Sequence, residues 1–169
     1  MNYINSSYRK NNFDSVFKEF CEKTNPKSIL EIGILDGYSL NSFIKHTSID
    51  CEILAIDLFE DYKYKNSNFE KITNKFKRYP NVTIDYGDFY SFAKSTKKFD
   101  IIHNNHPKLN YYSLFSPKPF IFHLYGASNK IQELNVKLSI LLCKNKISRI
   151  LAISNSVVYQ VSNAVNKIP

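Results

Sequence analysis

Residues 27–57 have the sequence KSILEIGILDGYSLNSFIKHTSIDCEILAID, and this stretch decides the fold. Two short apolar runs flank a turn that contains two glycines and a segment with apolar residues at helical spacing. Apolar runs of this length, bounded by glycine and polar residues, are typical of buried strands. The stretch therefore predicts a strand at about 28–33, a helix at about 38–46 and a second strand at about 52–57.

The same alternation of strands and helices continues along the chain. It predicts an α/β fold, a Rossmann-like, doubly wound and mainly parallel sheet of about six strands with helices on both faces. Residues 1–169 are expected to form a single domain, with an N-terminal helix region (1–26), a cofactor-binding half (27–103) and a second half (104–169). The remaining strands are predicted at 82–85, 99–103, 118–124 and 149–153, and the remaining helices at 12–24, 68–79, 131–144 and after Ser154.

The turn after the first predicted strand carries carboxylates. It has the pattern Glu31-x-Gly33-x-x-x-Gly37 with Asp36 inside it, and a further acid, Asp57, ends the second strand about 20 residues later. A dinucleotide turn instead needs G-x-G-x-x-G, so that a pyrophosphate can bind at the helix N-terminus. Carboxylates would repel a pyrophosphate and attract an ammonium or sulfonium group. The turn therefore favours a cationic ligand that contains a ribose. The acid after the second strand would accept hydrogen bonds from the two ribose hydroxyls.

This pattern resembles the class I S-adenosylmethionine-dependent methyltransferases over residues 27–103. In that family the glycine turn wraps the methionine part of the cofactor, and acids after the second and third strands hold the ribose and the adenine. The resemblance implies S-adenosylmethionine as cofactor and methylation of an oxygen or nitrogen of a small molecule, with a sugar as one candidate acceptor. The assigned residues are Glu31, Gly33, Gly37 and Ser39 at the amino-acid end, Asp36 in the same loop, Asp57 at the ribose, Asp88 at the adenine, and Phe59 as a ring that stacks on the adenine.

Polar residues follow the fourth predicted strand, where methyltransferases keep groups that face the substrate. His106 is the candidate catalytic residue, a general base on a substrate hydroxyl, because histidine exchanges protons near neutral pH. An exposed loop histidine is the favoured alternative for His106, and His103 fits a buried histidine of the strand. These two and His123 lack the spacing of a zinc site, so no metal is predicted. Whether the chain is an enzyme stays open at this point.

The second half of the chain carries a different resemblance. Residues 99–165 are similar to the N-terminal domain of two-domain, GT-B type glycosyltransferases, through FDIIH at 99–103, KPFIFHLYG at 118–126 and RILAISNSV at 149–157. The N-terminal glycine loop and the donor-binding domain of that family are missing, which implies a truncated or hybrid acceptor domain that is inactive alone. A third alternative is a noncatalytic domain that binds the cofactor. No antiparallel seventh strand is found in the sequence, and the strand edge left open would favour a homodimer.

Composition restricts the class of protein. The chain has 169 residues, of which 43% are hydrophobic, as expected for a packed domain and not for a disordered chain. The net charge is +8, but the lysines are scattered, which argues against a nucleic-acid partner. Three unclustered cysteines, a polar N-terminus and no apolar run long enough to cross a bilayer favour a cytoplasmic protein without a membrane span.

Overall fold

A computed structural model describes three parts of the chain in full and two further strands by their backbone. The three parts described in full are residues 13–63, 67–87 and 99–105. The two strands described by their backbone are Phe120–Leu124 and Ile147–Ala152. The chain divides into two compact units, Met1–Ile101 and Ile102–Pro169. The helices predicted at 131–144 and after Ser154 lie outside the described residues, and the organisation of the whole chain as a single domain stays a prediction.

The first unit alternates helices and strands in the predicted order. The strands β1 to β3 pair in parallel in the spatial order β3-β2-β1, with Ile29 beside Ile53 and Ile53 beside Val82. The elements are α1 (Asp14–Thr24), β1 (Ser28–Ile32), α2 (Tyr38–His46), β2 (Glu52–Asp57), a 3-10 turn (Phe59–Asp61), α3 (Phe69–Phe76) and β3 (Val82–Tyr86).

The second unit is described through its strands. β4 (Ile101–Asn104), which starts at the last residue of the first unit, β5 (Phe120–Leu124) and β6 (Ile147–Ala152) pair in parallel in that order. Parallel neighbours need a crossover connection, and such crossovers are typical of α/β domains. The predicted parallel α/β fold is therefore confirmed, and the strand ends differ from the predicted ones by two residues at most.

Burial of the first unit shows why its strands form a sheet interior. Ile29, Leu30, Glu31 and Ile32 are consecutive in β1 and all are buried. Successive residues of a strand point to opposite faces, so both faces of β1 are covered, as the continuous apolar run predicts. Part of this core comes from the helices, which contribute Phe17, Phe20, Leu40, Phe43, Ile72 and Phe76.

The helices of the first unit have sequence-determined ends. Helix α1 ends at Thr24 and is capped by Asn25, which has a left-handed backbone (φ 41°) and donates its N–H to the Cys21 carbonyl. Helix α3 begins after Asn68, whose side chain accepts from Lys71 N at 2.8 Å. Helix α3 ends at Phe76, three residues before the predicted end at Tyr79. Among the described residues, no helix is long and apolar enough to span a membrane.

The Asp14 carboxylate joins α1 to the end of α2. It accepts hydrogen bonds from Ser42 Oγ at 2.9 Å, Lys45 Nζ at 2.9 Å and His46 Nε2 at 3.1 Å. The hydrogen bond from Lys45 is the largest of the causes that lower the pKa of Asp14 from 3.8 to about 2. Below this carboxylate, the Phe17 and Phe43 rings pack edge to face with centroids 4.9 Å apart. The polar contact therefore fixes the register in which the two helices pack.

Replacing Asp14 by asparagine is expected to lower the free energy of unfolding by about 1 kcal/mol near pH 7, since the carboxylate is partly solvated. Because folding lowers the pKa of Asp14, its contribution is present above pH 3.8 and is lost as the pH falls through about 2. Urea unfolding at about pH 7 and at about pH 2 measures the difference. Glu19→Gln, which removes an exposed ion pair with Lys23, is the control and should cost less than about 0.5 kcal/mol. An Asp14→Asn effect that is equally large at both pH values would contradict the assignment.

Candidate functional site

The loop that joins β1 to α2 turns sharply through left-handed backbone conformations. Gly33, Leu35 and Gly37 have φ angles of 83°, 50° and 72°. Gly33 N donates to the Ile56 carbonyl of β2 at 2.9 Å, and Gly37 N donates back to the Ile34 carbonyl at 2.8 Å. Two of the three left-handed positions are glycines, which adopt them without steric cost. The predicted glycine turn is thus present, and it is anchored to β2.

Gly37 lies directly against helix α3. A Cβ atom at this position would lie 2.6 Å from Cε2 and 2.7 Å from Cζ of Phe76. Phe76 is 2% exposed and cannot move aside into solvent. The glycine therefore serves two purposes, a left-handed φ and a close approach of the loop to α3.

The Asp57 carboxylate at the end of β2 holds the loop by its backbone. Oδ2 accepts from Ile34 N at 2.6 Å and from Leu35 N at 3.1 Å. Oδ1 accepts from Phe59 N at 3.1 Å, at the start of the 3-10 turn. Asp57 is half-buried, so the residue keeps some exposure to solvent beside the loop. The structure thus brings Asp57 to the glycine loop, as predicted, but directs much of its hydrogen-bonding capacity into the protein.

Glu31 is a fully buried acid under the same loop. Its side chain is 0% exposed, and Ser39 Oγ of α2, also buried, donates to its Oε1. Burial, with a smaller contribution from the charge of Asp57, raises the pKa of Glu31 from 4.5 to about 8, although the Ser39 hydroxyl works in the opposite direction. Near neutral pH the carboxyl is therefore mostly protonated, and a cation placed beside it would convert it to the carboxylate.

Helix α2 begins at this loop with backbone N–H groups that have no acceptor among the described residues. Its residue before the first turn is Gly37, which offers no capping side chain, and the first internal bond runs from Asn41 N to the Gly37 carbonyl at 3.0 Å. The first turn carries no acidic residue. The N–H groups of Tyr38, Ser39 and Leu40 therefore donate no hydrogen bond within the helix. Such amides at a helix start favour a carboxylate or another anion.

Lys75 of α3 is a loop contact that the sequence did not reveal. Its Nζ donates to the Asp36 backbone carbonyl at 2.6 Å and lies 5.6 Å from the centroid of the Tyr38 ring. Partial burial lowers the pKa of Lys75, and the Asp36 charge opposes that shift. In the sequence Lys75 is one lysine of a basic group, 39 positions from its partner, and no local pattern connects the two.

Phe59 is placed differently from an open stacking ring. It is 0% exposed and has a left-handed φ of 44°. Its ring packs against Phe69 at 5.1 Å and Tyr86 at 5.6 Å between centroids. Tyr86 ends β3 in register with Asp57 and is 44% exposed. Phe59 therefore supports an aromatic cluster beside Asp57, and the accessible ring of that cluster is Tyr86.

Two predicted site residues, Asp88 and His106, lie outside the described residues, so their roles stay predictions. His103 of β4 is fully buried, in agreement with the interpretation of it as a core histidine. Cys21 and Cys51 are buried free thiols, and burial raises the pKa of Cys21 to about 12, which makes it a packing residue. Within the described ranges, no group of three or more His, Cys, Asp or Glu side chains could hold a metal ion.

The geometry suits a ligand with an amino-acid end and a ribose. A buried carboxyl, Glu31, and the open amides of α2 provide complementary partners for an ammonium and a carboxylate. Asp57, one short loop away, provides an acceptor for a hydroxyl. A pyrophosphate would instead meet the carboxylates of Asp36 and Asp57 at this loop, which disfavours a dinucleotide.

Comparison with solved structures places the fold among known proteins. A proposed O-methyltransferase from Klebsiella pneumoniae is similar with a TM-score of 0.51 and 20% identity, over 64% of this chain and 51% of that one. The O-methyltransferase from Bacillus cereus in complex with SAH is similar with a TM-score of 0.51 and 16% identity, over 64% of this chain and 52% of that one. The chain thus spans about half the length of each. No protein-family model and no curated protein sequence matches it. These similarities confirm the Rossmann-like α/β fold.

Proposed function

We propose that this chain binds S-adenosylmethionine and takes part in methyl transfer to an oxygen or nitrogen of a small molecule. The observation that carries the proposal is the buried Glu31 carboxyl, bonded to Ser39 beneath a glycine loop. Burying an acid is costly, and beside the amides of α2 this acid suits the ammonium group of an amino acid. The similar structures of O-methyltransferases support the same proposal.

The residues present fit this cofactor part by part. Glu31 would face the ammonium group, and the amides of Tyr38, Ser39 and Leu40 would face the carboxylate of the methionine part. Gly33 and Gly37 keep the loop free of side chains, and Asp57 would accept from the ribose. Asp36 and Asp88 remain proposed contacts of the loop and the adenine, whereas the buried Phe59 would act by supporting the exposed ring of Tyr86. When bound, the cofactor supplies a methyl group on a positively charged sulfur, and the acids of the loop favour that charge.

The chemistry of the acceptor rests on residues that the structure does not describe. No observation among the described residues favours His106 as general base, a sugar as acceptor or the truncated glycosyltransferase alternative. Methyl transfer depends strongly on alignment of the reacting atoms, so the protein's main task would be to hold the acceptor in line with the methyl group.

Calorimetric titration of the whole chain with S-adenosylhomocysteine tests the proposal. We expect micromolar binding, and binding of methylthioadenosine at least about tenfold weaker because that nucleoside lacks the amino-acid part that Glu31 and α2 would hold. NAD serves as a matched control, since it shares the adenosine but carries a pyrophosphate, and it should not bind. A folded chain that binds none of the three would refute the proposal. Equal affinity for S-adenosylhomocysteine and methylthioadenosine would remove Glu31 and α2 from the site.

A further inference from the structure

Backbone N–H groups occupy most of the hydrogen-bond acceptor positions of the Asp57 carboxylate. Two carboxylate oxygens have about four acceptor positions in total. Ile34 N and Leu35 N occupy both positions of Oδ2, and Phe59 N occupies one position of Oδ1. Among the residues that the structure describes, one acceptor position, on Oδ1, has no donor and is left for a ligand.

The three backbone contacts of Asp57 stabilise conformations that the chain would otherwise avoid. Among the described residues, the non-glycine residues with positive φ are Asn25, Leu35 and Phe59. Asn25 caps a helix, where this conformation is common. Leu35 and Phe59 both donate their N–H to Asp57, one to each oxygen. The carboxylate thus holds two strained turns in place, and giving up either contact to a ligand would release a turn that forms the site.

We infer that Asp57 recognises a single ribose hydroxyl of the nucleoside and not both. The inference rests on the proposed function, because it takes the nucleoside part of S-adenosylmethionine as the ligand. An acid at this position with an open carboxylate could accept from both hydroxyls, which is what the sequence pattern suggests. Here the second hydroxyl finds no acceptor on Asp57, since Oδ2 already accepts two amides of the glycine loop.

Deoxy analogues of the ligand test this inference without altering the protein. The wild-type chain is titrated with S-adenosylhomocysteine and with its 2′-deoxy and 3′-deoxy forms. Loss of a hydrogen bond to a carboxylate should weaken one analogue by about 10- to 100-fold, while the other stays within about threefold of the parent. Similar losses for both analogues, or no loss for either, would overturn the inference. Failure of the parent compound to bind would instead count against the proposed function.

The ligand-free protein supplies a second, independent readout. In Asp57→Asn one oxygen becomes an amide group, which donates and cannot accept, so at least one of the strained turns loses its partner. Hydrogen exchange should then accelerate by about tenfold or more either at the Phe59 amide or at the Ile34 and Leu35 amides, depending on which oxygen the amide nitrogen replaces. Asp50→Asn, which changes an exposed aspartate that bonds to Ser48 within the described part of the chain, is the matched control and should leave these amides unchanged. Unchanged exchange in Asp57→Asn would mean that the carboxylate is free for both hydroxyls.

Discussion

Replacing Gly37 by alanine is expected to lower the free energy of unfolding by about 3 kcal/mol, the sum of a backbone cost and a steric cost. The backbone cost arises because φ at Gly37 is +72°, a conformation that L-residues avoid. The steric cost arises because the new Cβ would lie 2.6 Å from the ring of Phe76, which is buried and packed against the loop. Denaturant unfolding of the whole chain measures the effect, read as a change in midpoint at constant slope.

Two variants separate these contributions. In Phe76→Leu the ring atoms that meet the new Cβ are gone, so Gly37→Ala should cost at least about 1 kcal/mol less in that background than in the wild type. Gly87→Ala is the matched control, because a Cβ at Gly87 meets nothing within 4 Å and its φ is not left-handed. We expect it to be neutral or stabilising by up to about 1 kcal/mol. A Gly37→Ala cost no greater than that of Gly87→Ala would show that the loop does not lie against α3.

The elements of the first unit were accessible from sequence because each is specified by neighbouring residues. The apolar run around Ile29 and the run around Ile53 are buried from both faces, and a continuous run is the pattern such strands require. Helix α3 has Ile72 and Phe76 on one face and an asparagine at its start, which together predict both its existence and its first residue. The end predicted at Tyr79 from the proline that follows it is wrong, since the helix already ends at Phe76.

The contacts that shape the candidate site were beyond the sequence because they join residues far apart. Lys75 reaches the Asp36 carbonyl across 39 positions, and Phe76 fills the space beside Gly37. The sequence did place Asp57 at the loop. It did not show that the carboxylate bonds the amides of Ile34 and Leu35, because backbone donors carry no side-chain pattern. Nor did it show that Phe59, one of several aromatic residues after β2, is covered by Phe69 and Tyr86.

Glu31→Gln is expected to change how stability depends on pH. Burial raises the pKa of Glu31 from 4.5 to about 8, so the folded wild type holds a proton that the unfolded chain releases between these values. The wild type therefore loses stability as the pH rises from about 4.5 to about 8, and little further above that. Glutamine keeps the acceptor for Ser39 but cannot ionise. Relative to the wild type, the free energy of unfolding of the variant should rise by at least about 1 kcal/mol from about pH 5 to about pH 8. Urea unfolding at the two pH values measures this change.

The matched control for the unfolding experiment is Glu52→Gln, an exposed glutamate on the neighbouring strand β2. It should leave the wild-type slope of stability against pH unchanged in this window. If Glu31→Gln also leaves that slope unchanged, the Glu31 carboxyl is not held protonated in the folded chain. In that case interactions with other groups, and not a bound proton, would compensate for the cost of burying the carboxyl near Ser39 and Asp57.

The same carboxyl links ligand binding to proton release. An ammonium group beside Glu31 favours the carboxylate, so below about pH 8 a bound amino-acid end should displace up to one proton per site. Affinity for S-adenosylhomocysteine should then rise by up to about tenfold per pH unit between about pH 6 and about pH 7.5, where the ligand's own amino group stays charged. Titration in two buffers of different ionisation enthalpy counts the protons, and Glu31→Gln should bind more weakly and release none. Tight binding without proton release in the wild type would place the ammonium group away from Glu31, and the amino-acid end would then have to be held by the α2 amides alone.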